Sequence, residues 1–305
     1  MKIYISRQAV TGPWGGGNRW LSAFTMACHT EGWRIACSVA DADVAMIAAV
    51  RPGSPAEPGA VQVAADARQR GIPSIFRVND CDARKGTVDV DRDIKMAARY
   101  ASHVVFVSRW LASYAAARGV TQRSCSVIAN GVDKHIFNRT LHLQRRPADR
   151  LRIVTHHWSD NRLKGAAWYE MLDELSRDND ITLTYIGRHA CNFSDRTIVI
   201  PPCDGEQLAV AIAENDVYVS GSVNDPGPNH IIEAVALGMP MIVSAHGGGC
   251  VEFAAPAPAI TTLDELVIAI MNGHAAVSNM AISSWETCAA TYVKLIKDIV
   301  NGNAG

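Results

Sequence analysis

Short apolar runs alternate along the whole chain with stretches in which apolar residues recur every three or four positions. Apolar runs of this length, bounded by turn-forming residues, suit strands buried on both faces. The amphipathic stretches suit the helices that cover them. In the first half the pattern predicts strands over 2–6, 34–39, 44–48, 74–78, 104–107 and 126–128, with helices in the gaps, most clearly over 19–31, 91–100 and 109–118. The second half restarts the pattern with strands over 151–155, 182–186, 197–200, 217–219 and 241–244. A last helix over 285–300 carries apolar Tyr292, Leu295, Ile296, Ile299 and Val300. This alternation predicts an α/β fold of two doubly wound, Rossmann-like parallel-sheet domains, 1–138 and 151–282, with a C-terminal helix in 283–305. The arginine-rich stretch 139–150 has no strong period and reads as the linker. Ligands of such sheets bind at the carboxyl ends of the strands, so a substrate cleft between the two domains is expected.

The composition agrees with two cores: 305 residues, of which 48% are hydrophobic. A net charge of −1 argues against a dedicated nucleic-acid binder. The eight cysteines are scattered, without a C-x-x-C pair or zinc-finger spacing, and read as reduced thiols of a cytoplasmic protein. Met1 leads straight into the first expected strand, so no secretory leader is expected, and no apolar run is long enough to span a membrane.

The most informative chemistry lies in Asp225-Pro-Gly-Pro-Asn-His-Ile-Ile-Glu233-Ala-Val-Ala-Leu-Gly238-Met-Pro240. Pro226, Gly227 and Pro228 prevent helix before Asn229, so the amides of Asn229, His230 and Ile231 are expected to point out at a helix N-terminus, where a phosphate would sit well. Asp225 precedes that turn and Glu233 lies deeper in the helix, two carboxylates placed to take sugar hydroxyls. Gly238 and Pro240 end the helix before the next strand. Taken by itself, the segment also fits an ordinary strand-to-helix loop with a capping Asp.

This segment resembles the E-x7-E motif of retaining glycosyltransferases of the GT-B fold, family four of that classification. Glu233, Ala234, Ala236, Gly238 and Pro240 match the tail E-A-x-A-x-G-x-P, while Asp225 stands in place of a Glu and Pro228 in place of a Gly. A second match runs from Val105-Phe-Val-Ser108 through Gly119-Val120 to Val127-Ile-Ala-Asn130-Gly131-Val132-Asp133 and Phe137. The resemblance implies a nucleoside diphosphate sugar donor held by the second domain, with Glu233 on the ribose and Asp225 on the sugar. It also implies an acceptor hydroxyl brought by the first domain, no metal or cofactor, and a last helix that packs back on the first domain.

Further positions follow from the resemblance. Lys164, in Arg162-Leu-Lys-Gly165, is expected on the donor diphosphate, and Arg162 is the candidate for a second family cation displaced from its usual place. His156 and His157 read as loop or core groups. Gly187, Arg188 and Pro202 would frame the nucleobase, and His246-Gly-Gly-Gly249 with Glu252 matches a family turn. In the first domain, Gly15, Gly16 and Gly17 form a glycine turn after the first strand, suited to close approach of a ligand or to a plain surface turn. Asn79 stands where relatives carry His, and Asp80 is the carboxylate left to orient an acceptor hydroxyl. Asp80-Cys81-Asp82 is formally a D-x-D metal motif, but Asp41-Ala-Asp43 and Asp91-Arg-Asp93 match equally well, and it carries little weight. The resemblance allows peripheral contact with the inner face of a membrane, and leaves the acceptor and oligomeric state open. The expected function is therefore transfer of a sugar to a hydroxyl. A sugar-nucleotide epimerase of the same fold and a non-catalytic sugar-nucleotide binder are the alternatives.

Overall fold

The computed structural model describes residues 1–12, 15–54, 57–121, 124–144 and 148–302. In chain order the elements are β1 (Lys2–Ile5), α1 (Gly16–Thr30), β2 (Arg34–Ala36), β3 (Val44–Ile47), α2 (Ala60–Arg70), β4 (Ser74–Val78), α3 (Asp82–Lys85), α4 (Val90–Tyr100), β5 (His103–Phe106), α5 (Arg109–Ala117) and β6 (Cys125–Val127). There follow α6 (Arg139–Leu143), β7 (Leu151–His157), α7 (Ala166–Leu175), β8 (Ile181–Gly187), β9 (Ile198–Ile200), α8 (Gly205–Ala213) and β10 (Val217–Ser220). The chain continues with α9 (Asn229–Leu237), β11 (Pro240–Ser244), α10 (Gly249–Ala254), β12 (Ala259–Ile260), α11 (Leu263–Met271), β13 (Ala276–Val277) and α12 (Trp285–Val300). They form two compact units, Met1–Gly131 with Ser283–Gly305, and Val132–Ile282.

The first unit holds a parallel sheet in the order β2-β1-β3-β4-β5-β6. Alternate residues of its central strands feed two cores, as the two-residue strand period requires. Ala45, Ile47, Phe76, Val78 and Phe106 face one core with α2 and α4. Ile3, Val44, Met46, Ile75 and Val105 face the other, which is closed by Trp20 and Phe24 of α1 and by Trp285, Tyr292 and Ile296 of α12. The Trp20 ring lies 5.1 Å from both Phe24 and Tyr292. The strand expected over 34–39 stops at Ala36, and a single 3-10 turn, Val39–Asp41, replaces its end. Ser108 caps α5 by accepting from the Leu111 amide at 3.0 Å.

The second unit holds a sheet in the order β12-β11-β10-β7-β8-β9, with β13 antiparallel on β11. Ile153, Leu183, Tyr185, Val219 and Ile242 face a core with Trp168, Tyr169 and Leu172 of α7 and Leu266 and Ile270 of α11. Residues 139–150 include α6, which lies within this unit; its His142 ring meets the Ala213 carbonyl at 3.1 Å. The strand expected to end at Thr155 continues through His156 and His157, which are 1% and 2% exposed. All eight cysteines are free thiols, five of them buried. Among the described residues no helix is long and apolar enough to cross a membrane.

Candidate functional site

Three loops at the carboxyl ends of the second sheet are laced together by backbone hydrogen bonds. The Val223 amide donates to the Leu163 carbonyl at 2.8 Å, Asn224 to His246 at 2.8 Å, and Asp225 to Gly247 at 3.2 Å; Gly249 donates back to Asp225 at 2.8 Å. The loop after β7 can lie this close because Gly165, at φ +107°, has no side chain: a Cβ there would fall 2.7 Å from the Gly221 backbone. Gly187 is under the same constraint, since its Cβ would fall 2.0 Å from the His157 carbonyl oxygen.

This lacing fixes an ion pair between Lys164 Nζ and Asp225 Oδ2, with the side chains only 15% and 3% exposed. His230 in the first turn of α9 places Nδ1 at 3.8 Å from Asp225 Oδ2. Its Nε2 lies 2.9 Å from Ser220 Oγ, 3.4 Å from Ser222 Oγ and 3.8 Å from Cys250 Sγ. Burial and the nearby Asp225 carboxylate push the Cys250 thiol up, so it keeps its proton. Asp225, His230 and Cys250 offer ligand atoms within 4.8 Å of one another and could hold a soft divalent cation once Lys164 leaves the carboxylate.

Beside this pair lies a second buried network. Glu233 Oε2 meets His156 Nε2 at 2.8 Å, both residues essentially inaccessible. The other ring nitrogen of His156 lies 3.0 Å from the Tyr218 hydroxyl, which also accepts the His156 amide at 3.3 Å. The next residue, His157, faces Tyr169, Nε2 to hydroxyl 2.6 Å, and the Gly221 amide donates to the same hydroxyl at 3.2 Å. Burial, before any neighbouring group, drives the His157 imidazole well below its usual pKa. Burial holds the hydroxyls of Tyr169 and Tyr218 protonated. The sequence reading missed His156 as the partner of Glu233, and Tyr218 as the partner of His156. The available signal was weak: a polar residue at the end of a buried strand.

Several expected residues take other places. The turn before α9 is tighter than expected: the Asn229 amide donates to the Gly227 carbonyl and the Ile231 amide to Pro228, each at 3.0 Å. Those two N–H groups are thus satisfied within the turn. Arg162 pairs with Glu170 at 3.1 Å and donates to the Ala190 carbonyl at 2.7 Å, directing its guanidinium along the surface. Arg188 is exposed and donates to the Trp158 carbonyl at 3.1 Å, and Pro202 is half-buried between β9 and α8. A groove of about 740 Å³ in this unit is lined by Arg152, Thr182, Thr184, Ile198, Ile200 and Glu214, none of them a candidate residue.

In the first unit Gly15 is the N-cap of α1, Gly16 and Gly17 open the helix, and a Cβ on Gly17 would be 3.4 Å from Asn79 Nδ2. The glycine turn and Asn79 therefore adjoin. Asp80 pairs with Lys85 at 3.0 Å and Arg84 at 3.5 Å. Asp82 instead serves the backbone, accepting from the Val90 and Asp91 amides at 3.0 Å each and from the Thr87 hydroxyl at 2.6 Å. Burial raises its pKa, but these bonds outweigh it and hold the carboxyl below its usual range.

No protein-family model matches the sequence, and no curated protein matches it. Solved structures do. Sucrose-phosphate synthase of Thermosynechococcus elongatus superposes with a TM-score of 0.71 at 16% identity, covering 99% of each chain. HepE of Anabaena, in complex with UDP-glucose, gives 0.65 at 16% identity over 99% of this chain and 98% of that one. The apo form of the lipopolysaccharide outer core galactosyltransferase WaaB gives 0.64 at 14% identity over 100% and 99%. The chain has the GT-B fold. The superpositions show the fold alone, and at identities of 14–16% the chemistry is argued from the residues above.

Proposed function

We propose that this protein is a retaining glycosyltransferase that moves a sugar from a nucleoside diphosphate to an acceptor hydroxyl, in the manner of family four. The observation that carries the reading is the convergence of Lys164, Asp225 and Glu233 at the carboxyl ends of one parallel sheet. Ligands of such sheets bind there. The leaving diphosphate gains negative charge as the glycosidic bond breaks. Lys164, on a loop held by its neighbours, supplies a positioned ammonium for that charge. Asp225 then exchanges its ammonium partner for sugar hydroxyls, and Glu233 takes the ribose. With two amides of the α9 turn already bonded, Lys164 carries more of the diphosphate recognition than the sequence suggested.

Front-face substitution, in which the leaving phosphate helps accept the acceptor's proton, fits a donor site whose carboxylates are assigned to hydroxyl binding. Asp80 is assigned to the acceptor hydroxyl and Asn79 to its surroundings. HepE was solved with UDP-glucose, which makes UDP-sugars the first donors to try. The test is a thermal-shift screen against UDP-, GDP- and ADP-linked sugars, followed by assay of the stabilising donor with mixed acceptors. A bound donor raises the melting temperature. Released nucleoside diphosphate separates an enzyme from a binder, and a linked product separates transfer from epimerisation. Failure of every donor and every nucleoside diphosphate to shift the melt would sink the reading.

A further inference from the structure

We infer that His156 is a positioning residue for ribose recognition, braced by Tyr218 and acting through Glu233. This rests on the donor reading above and adds to it the residues that make Glu233 a reader of the ribose diol.

The proton arrangement follows from the contacts. The His156 amide donates to the Tyr218 hydroxyl at 3.3 Å, and the hydroxyl proton can be given to His156 Nδ1 at 3.0 Å. Nδ1 then accepts, and the ring carries its hydrogen on Nε2, which lies 2.8 Å from Glu233 Oε2. The opposite tautomer would turn a ring lone pair toward the carboxylate at that distance. A donating Tyr218 hydroxyl matches the tautomer that the Glu233 carboxylate requires, with the hydrogen on Nε2.

The arrangement has a cost that packing alone does not explain. Glu233 and His156 are each about 1% exposed. A buried polar pair of this kind is often matched or bettered in stability by apolar residues of similar volume. What the pair supplies is orientation. A carboxylate has about four acceptor positions, and two adjacent ribose hydroxyls need two of them in a fixed plane. The bond from His156 restrains one oxygen of that carboxylate, and the β7 and β10 strands that carry His156 and Tyr218 are adjacent in the sheet.

The experiment measures binding of UDP, GDP and ADP, and of their 2′,3′-dideoxy counterparts, to the full chain by titration calorimetry. The unmodified protein should bind one ribonucleotide roughly tenfold or more tighter than its dideoxy form, as expected for two hydroxyls on a carboxylate. His156→Gln keeps a donor near the Nε2 position and should retain that ratio. His156→Asn, which does not reach Glu233, and Tyr218→Phe should reduce it to about threefold or less, while dideoxy affinity stays within about twofold. A merely structural role would lower both affinities together. Retention of the full ratio by folded His156→Asn or Tyr218→Phe would overturn the inference, and Tyr218→Phe alone decides it if the Asn variant does not fold. An unmodified protein that binds nucleotides without distinguishing the dideoxy forms overturns it too, while leaving the donor site standing. Binding of no nucleotide at all overturns the donor reading itself.

Discussion

The ammonium of Lys164 rests on Oδ2 of Asp225, across 61 residues of sequence and with the carboxylate almost wholly buried. Each residue is the other's counter-charge until a ligand arrives. Lys164→Ala should therefore reduce sugar transfer by roughly 10²–10³, the scale of losing one positioned charge at a developing anion. It should also strand a buried carboxylate and lower stability. Asp225→Asn relieves the lysine and should weaken selection among sugars more than affinity for free nucleoside diphosphate. Steady-state kinetics with two hexose donors, run beside a nucleoside diphosphate titration, separate the two effects.

Arg162 should matter little. Its guanidinium is 57% exposed and paired with Glu170, and such pairs contribute about 0–1 kcal/mol. Arg162→Ala is expected to change donor affinity by less than about twofold, a change of only ~0.4 kcal/mol. A tenfold loss would return this residue to the diphosphate.

Gly165→Ala should be costly. The residue has φ +107°, and a Cβ would come within 2.7 Å of the Gly221 backbone rather than a yielding side chain. A loss of at least ~2 kcal/mol is expected, lowering the melting temperature by roughly 4–8 °C. An unchanged melt would contradict the close packing of these loops.

His157 gives a pH dependence with a definite sign. Its folded pKa is depressed chiefly by burial, so the unfolded chain takes up a proton on this residue before the folded one does. Stability is unaffected by this residue well above its unfolded value of about 6.5 and falls as pH drops below that, by up to about 1.4 kcal/mol per pH unit until the folded value is reached. Denaturation curves between pH 7 and pH 5 should be flatter for His157→Gln than for the unmodified chain. Identical slopes would show that the imidazole titrates normally.

Asp80→Asn should lower transfer while leaving donor binding intact, because the carboxylate belongs to the first unit and is assigned to the acceptor hydroxyl. A parallel loss of donor affinity would argue for a different role.

The fold was legible because buried strands and amphipathic helices leave local periods; β4 and α12 run over the expected 74–78 and 285–300. Strand ends were less so: β7 runs on through two histidines whose partners lie on α9, β10 and α7, which no local pattern records. Glu233 and Lys164 stood out through short motifs. The link from His156 to Glu233 spans 77 residues and depends on which strands become neighbours, so it emerges only with the sheet order. The α9 turn departs from the expectation for a different reason. Prolines and glycine predict where a helix starts, but the Gly227 and Pro228 carbonyls decide which amides remain available.

The aromatic contact of Trp20 with Tyr292 joins the second element of the chain to the last, with the whole of Val132–Ile282 between them in sequence. During synthesis, therefore, the residues of the second unit are all made before the helix that completes the first. The earlier-made sheet has α1 for its Trp20 face from the start, but the cover of that face is complete only once α12 has been made.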